Sequence, residues 1–201
     1  MKVWSVVLRA LAAAAMIAYP GFVWLGLSSG SPRQVAIVLL ALMAPAYLLR
    51  KAKPASSPGA GLAAVPLTIF GLLIVSAVLD GADFIRATPV AANVVLLISF
   101  GGTLRRGSVP MIERFARLQE PALDGPKQEW CRTWTKIWCA FFVANGAVAL
   151  TLATLADLRA WALYNGGIAY ALIGALFSLE WLLRRRRFPD LRARRAAEQD
   201  R

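Results

Sequence analysis

The 201-residue chain is 58% hydrophobic and only 17% charged, with a mean hydropathy of +0.56. A soluble domain carries about 25% charged and 45–50% apolar residues, so an ordinary soluble globule and a disordered chain are both excluded. Histidine is absent, which removes imidazole general-base and His-ligated metal chemistry, and two cysteines, Cys131 and Cys139, are too few for a disulfide framework or a four-thiolate zinc site.

The apolar residues gather into six stretches, at about 3–27, 32–49, 61–79, 88–104, 134–156 and 161–183. Each matches the length that crosses ~30 Å of hydrocarbon. Backbone in lipid must satisfy its own hydrogen bonds, and the alternation of barrel strands is missing, so the stretches predict helices. The expectation is an all-α membrane protein. Six transmembrane helices form one domain over 1–187, followed by a basic tail at 188–201.

The first stretch begins after Lys2 and is interrupted by Arg9, and its hydrophobicity continues past Pro20 to Leu27. Both features argue against a cleaved signal peptide. Pro20, Pro45 and Pro66 predict kinks in the first three spans, whereas the fifth and sixth lack proline and read as a straighter pair. Lys and Arg fix the direction: only Arg33, Arg86 and Arg159 of the 23 fall in the loops on one side, leaving 20 for the other. By the positive-inside rule both termini face the cytoplasm, and the protein is multi-pass.

Between the fourth and fifth spans lies the longest connection, 105–133. Ser108 reads as an N-cap, Pro110 suits a first helical turn and Pro121 ends the helix. Met111, Phe115 and Leu118 fall on one face at i, i+4 and i+7, opposite Glu113, Arg114, Arg117 and Glu120. This pattern predicts a short amphipathic helix in the headgroup region. Asp124-Gly125-Pro126 reads as a tight turn. Trp130, Trp134 and Trp138 then follow at i, i+4 and i+8, an interfacial aromatic belt or, alternatively, a stacking surface for an aromatic or polyene ligand.

The run Met111-Ile112-Glu113-Arg114-Phe115-Ala116-Arg117-Leu118-Gln119-Glu120-Pro121 resembles the signature of an uncharacterised family of small multi-pass bacterial inner-membrane proteins. The resemblance continues through Cys131-Arg132-Thr133-Trp134, Trp138-Cys139-Ala140-Phe141-Phe142, Asn145-Gly146 and Tyr164-Asn165-Gly166, and covers about 105–187. Genes of that family stand near ketosynthase-like and acyl-carrier-protein genes of aryl-polyene-type lipid clusters. The resemblance therefore implies a lipid- or polyene-biosynthesis context, and it brings no catalytic residue with it.

Within the spans, Asn145 is the strongly polar residue near mid-membrane, with Asn93 and Asn165 toward the outer ends of their helices. Such amides act as interhelical glue or touch a polar part of a substrate. Arg9 and Glu180 lie at cytoplasmic depth, as interface anchors or as an interhelical pair. Ala10, Ala14 and Ala18, and Gly167, Ala171 and Ala175, form small-residue stripes that permit close helix approach and oligomerisation.

The carboxylates Glu113, Glu120, Asp124 and Glu129 are the candidate acids, but Glu113 and Arg117 fit an i, i+4 ion pair better than catalysis. No phosphate loop, nucleophile elbow or metal-spaced carboxylate set occurs, so no catalytic residue, cofactor or metal is expected. Nucleic-acid binding is set aside because positive-inside bias accounts for the basic charge. The reading is a non-catalytic accessory protein contacting membrane lipids. Arg105, Arg106, Arg114 and Arg117, with Glu113 and Glu120 beside them, would offer a face to an acidic partner such as an acyl carrier protein. A lipid or polyene carrier or flippase is the second reading, and an enzyme using Glu113 or Glu120 the third.

Overall fold

A computed structural model describes residues 21–48 and 61–189. Expectations for Lys2, Arg9, Pro20, the N-terminal alanine stripe, the 49–60 loop and the tail beyond 189 lie outside the described residues. Every element among them is helical. Helix α1 covers residues 21–29 and α2 Pro32–Leu48; a 3₁₀ turn, Gly61–Ala63, leads into α3, Ala64–Leu79. Then come α4 (Ala82–Arg86), α5 (Thr88–Gly102), α6 (Met111–Ala116), α7 (Gly125–Leu155) and α8 (Leu158–Leu163). A π-helical turn, Tyr164–Ile168, joins α8 to α9 (Ala169–Arg187).

Two helical stretches, Gly125–Leu155 and Leu158–Arg187, are long and apolar enough to cross a membrane, while Pro32–Ala44, Ala64–Leu79 and Thr88–Gly102 are shorter apolar helices. The shorter ones have physical extensions. Helices α4 and α5 are nearly continuous, because Ala87 N donates to Asp83 O (2.8 Å) and Ala91 N to Ala87 O (3.0 Å). Pro89 has no N–H for the carbonyl of Ile85, and Thr88 Oγ supplies the missing donor at 2.8 Å. Pro66 is the third residue of α3, just after the change from the 3₁₀ turn to the α-helix, where the backbone N–H of the α-helix is surplus. The sixth apolar stretch departs from a straight rod at its π turn.

The helices α2, α3, α5 and α7 pack in succession. At one end Val23, Leu39, Leu73, Ile85 and the fully buried Trp161 form a core, and toward the other Phe100, Met111, Trp138 and Phe142 form a second. The α5–α7 seam is antiparallel and close. A Cβ on Gly146 would stand 3.2 Å from Asn93 Cβ, and one on Gly101 would stand 4.0 Å from Cys139 Sγ. One further turn along, Arg132 Nη2 donates to Leu104 O at 2.6 Å.

That last contact belongs to a pattern. The C-terminal carbonyls of a helix carry partial negative charge and lack intrahelical donors. Arg33 Nε and Nη2 donate to Ala77 O (2.9 Å) and Val78 O (3.2 Å) at the end of α3. Arg86 Nη2 donates to Leu152 O (2.9 Å) and Ala156 O (2.6 Å) at the end of α7. Negative groups serve helix starts in the same way. Asp80, left-handed at φ 54°, accepts Arg33 N at 2.8 Å in the first turn of α2. Asp124 accepts Lys127 N at 3.0 Å and Asp157 accepts Ala160 N at 2.6 Å. Asp124-Gly125-Pro126 is thus the capped start of α7 rather than a free turn, with Pro126 in the helix's first turn.

Candidate functional site: the 105–133 connection and its junctions

After α5 the chain turns through Gly107, whose φ of 82° suits glycine, and enters α6. The Thr103 hydroxyl donates to Phe100 O (2.6 Å) and accepts from Met111 N (2.9 Å). The Thr135 hydroxyl, on α7, donates to Cys131 O (2.8 Å) and accepts from Ile112 N (3.3 Å). Two of the otherwise unsatisfied first N–H groups of α6 are therefore capped by its neighbours. The expected cap, Ser108, is not used; Pro110 occupies the N-cap position. The helix ends at Ala116, short of Pro121.

This anchoring corrects the amphipathic reading. Met111, Glu113 and Ala116 are buried, whereas Phe115 and Leu118 are 36% and 67% exposed. Ala116 is small enough to bring α6 against Cys131 and Leu123, so the face selected by the capping threonines replaces the one selected by helical spacing. Glu113, expected on the polar side, is only 5% exposed. Its Oε1 accepts from Arg117 Nε (2.9 Å) and Nη2 (2.6 Å), and Arg117 Nη1 also donates to Pro121 O (3.2 Å). Glu120 pairs with Lys127 at 2.7 Å, and Arg114 Nε donates to Val109 O at 2.9 Å. Of the four arginines proposed as a basic face, Arg117 is therefore committed to an ion pair and Arg114 partly to backbone. Arg105 and Arg106 are exposed and, among the described residues, have no anionic partner.

A second junction ties the start of α7 to the end of α9. Glu180 pairs with Arg184 at 2.8 Å and accepts from Trp130 Nε1 at 3.3 Å. Arg187 lies over the Trp130 ring at 5.8 Å, and Phe188 meets that ring edge-on. Glu180 is thus occupied by α7 and α9, and the alternative partner Arg9 is outside the described residues. Trp134 and Trp138 are each only 3% exposed, which corrects the interfacial-belt reading. Trp138 is enclosed by Phe100, Phe141, Phe142 and Phe177, with Phe177 at 4.6 Å between centroids. Trp134 contacts Trp130 at 5.8 Å. Only Trp130 keeps partial exposure.

Helix α7 is about 46 Å long at 1.5 Å per residue, and its polar first section, 125–133, precedes its apolar run. Cys131 lies in that polar first section, buried, with its Sγ 3.7 Å from Arg184 Nη2. Burial pushes its thiol up to about 11, with the Arg184 charge pulling the other way. Such a thiol is a poor nucleophile at neutral pH. Both cysteines are free, and among the described residues no group of three His, Cys, Asp or Glu is placed to hold a metal.

Further along the α5–α7 seam the amides meet. Asn145 Nδ2 donates to Asn93 Oδ1 (3.1 Å), Tyr164 Oη donates to Asn145 Oδ1 (2.9 Å), and Asn93 Nδ2 donates to Pro89 O (2.8 Å). One chain of hydrogen bonds thus links α5, α7 and the π turn. Asn165 instead donates to Trp161 O at 2.9 Å within its own helix. Sequence reading missed Thr103, Thr135, Arg33, Arg86 and Tyr164, because their partners are distant in the chain and no local spacing marks them. Comparison of the chain with protein-family models, curated proteins and solved structures finds no match.

Proposed function

We propose that the chain is a six-span accessory protein of the bacterial inner membrane, with both termini cytoplasmic and no catalysis of its own. In this reading it recruits an acidic cytoplasmic partner, of the acyl-carrier type, to lipid or polyene synthesis through the 105–133 connection. The membrane part draws support from the two full-length apolar helices and the shorter apolar ones beside them. The extension of α5 through α4, and the Arg caps on helix ends, fit a setting in which helix termini must satisfy their own polar groups. The recruiting part rests on one observation. Phe115 and Leu118 stand exposed on a connection anchored by two threonines, and the same connection carries the exposed Arg105 and Arg106. Exposed apolar side chains and cations on one connection suit an acidic helical partner, whose encounter the charges accelerate. Gly167 on the π turn and Ala171 and Ala175 on α9 are exposed and are offered as the surface for oligomerisation.

A photocrosslinking residue at Gln119, used in native membranes, tests the recruitment. The parent is expected to capture a soluble acidic protein, and Arg105→Glu with Arg106→Glu to lose it, as is Leu118→Asp. Capture that survives both changes, or no capture by the parent, overturns the reading.

A further inference from the structure

Helix α9 ends in four consecutive arginines, Arg184 to Arg187, and their commitments differ. Arg184 pairs with Glu180, and Arg187 lies over Trp130 on the side that meets α7. Arg185 and Arg186 are exposed and, among the described residues, have no anionic partner. The Arg185 guanidinium folds back one turn, to 4.1 Å from the centroid of the exposed Trp181 ring. Stacking occupies the face of the guanidinium and leaves its N–H edge for a bidentate acceptor such as a phosphate. An exposed indole on a membrane helix stands at headgroup level, so the stack holds this cation at the depth of lipid phosphates. Arg186 follows Leu179 and Leu182 at i+7 and i+4, and both leucines are exposed. At 100° per residue, Leu182 and Arg186 turn to the side of α9 opposite Glu180 and α7. On two stripes of one helix, exposed apolar side chains therefore lead up to a cation that no described residue neutralises.

We propose that the end of α9 binds anionic phospholipid, its phosphates on Arg185 and Arg186 and its acyl chains along Trp181, Leu179 and Leu182. Charge complementarity selects an anionic over a zwitterionic headgroup. The apolar side chains on the same stripes select an amphiphile over a soluble phosphate or an acidic protein, which would use the cations alone. The site rests on the membrane reading above, which retention of the chain in carbonate-washed membranes checks separately, and it involves no partner protein.

The test is native mass spectrometry of the full chain in detergent, with palmitoyl-oleoyl phosphatidylglycerol and the matching phosphatidylcholine in equal amounts. The parent is expected to retain phosphatidylglycerol in preference to phosphatidylcholine. Arg185→Gln with Arg186→Gln is expected to cut that preference about 30-fold. Lys136→Gln with Arg159→Gln removes two exposed cations elsewhere and is expected to keep it. Trp181→Ala, which loses the stack, is expected to weaken retention, and Trp181→Phe to restore part of it. Equal retention of both lipids by the parent, an unchanged preference in the Arg185, Arg186 pair, or an equal fall in the Lys136, Arg159 pair overturns the site. Full retention in Trp181→Ala overturns the role given to the stack. Retention of glycerol 3-phosphate or poly-glutamate by the lipid-free parent, lost with Arg185 and Arg186, overturns the lipid as occupant.

Discussion

Glu113 and Arg117 share one ion pair unequally with solvent: the carboxylate side chain is 6% exposed and the guanidinium 38%. Removing the arginine leaves a desolvated negative charge behind, whereas removing the acid leaves a cation that can turn to water. Arg117→Met is therefore expected to cost about 2–3 kcal/mol and Glu113→Gln under about 1 kcal/mol. Thermal melts of the two variants in one detergent check the order, and equal losses would show that the pair is not buried in function. Cys131 makes a pH prediction. Its thiol holds its proton to about 11 in the folded chain, against about 8.5 when unfolded. Between those values the folded state binds more protons than the unfolded state, so stability falls as pH rises. The drop in melting temperature from pH 8 to pH 10.5 is expected to be smaller in Cys131→Ala than in the parent. Alkylation at pH 8 should spare Cys131 until the protein unfolds.

At the level of elements, α6 is too short to stand alone, and its position depends on hydroxyls from α5 and α7. Thr103→Val and Thr135→Val each leave a backbone N–H without its acceptor, an expected loss of about 1–2 kcal/mol. Hydrogen exchange provides the local readout: amides 111 and 112 should exchange faster while those in the middle of α7 are unchanged. Uniform protection in the variants would show that packing of Met111 and Ala116 suffices. The α5–α7 pair has its own bond, Asn145 to Asn93 at 3.1 Å. A double-mutant cycle to Leu at both positions is expected to give a coupling of about 0.6–1.7 kcal/mol. Coupling near zero would mean that Gly146 and its apolar neighbours hold the seam without the amides.

Across the molecule, the parts that could be read from the chain are those set by composition along a single helix. The apolar stretches 134–156 and 161–183 stand as the cores of long helices because their hydrophobicity is continuous. The connection helix was legible in existence but not in orientation. Its spacing favours Met111, Phe115 and Leu118; Met111 is buried, but docking on hydroxyls from other helices buries Glu113 and Ala116 in place of Phe115 and Leu118. Trp134 and Trp138 have the interface's chemistry but are buried, Trp138 against Phe177 of α9, a neighbour relation that spacing on α7 does not encode. Arg33 and Arg86 look like exceptions to the charge bias, and each closes the end of a neighbouring helix. The π turn acts at the same scale. Ala169 N donates to Tyr164 O five residues back, so the helix contains one more residue there than an α-helical path needs. Each residue turns an α-helix by about 100°, and everything after the turn is rotated by that phase. Phe177 meets Trp138, and Glu180 meets Trp130, only in the rotated frame. Deleting Gly167 would restore an uninterrupted α-helix and swing both contacts out of reach. The expected result is a red shift in tryptophan emission and easier cleavage after residue 156 by added protease. The five-residue turn is therefore the phase setting that lets the last helix recognise the one before it.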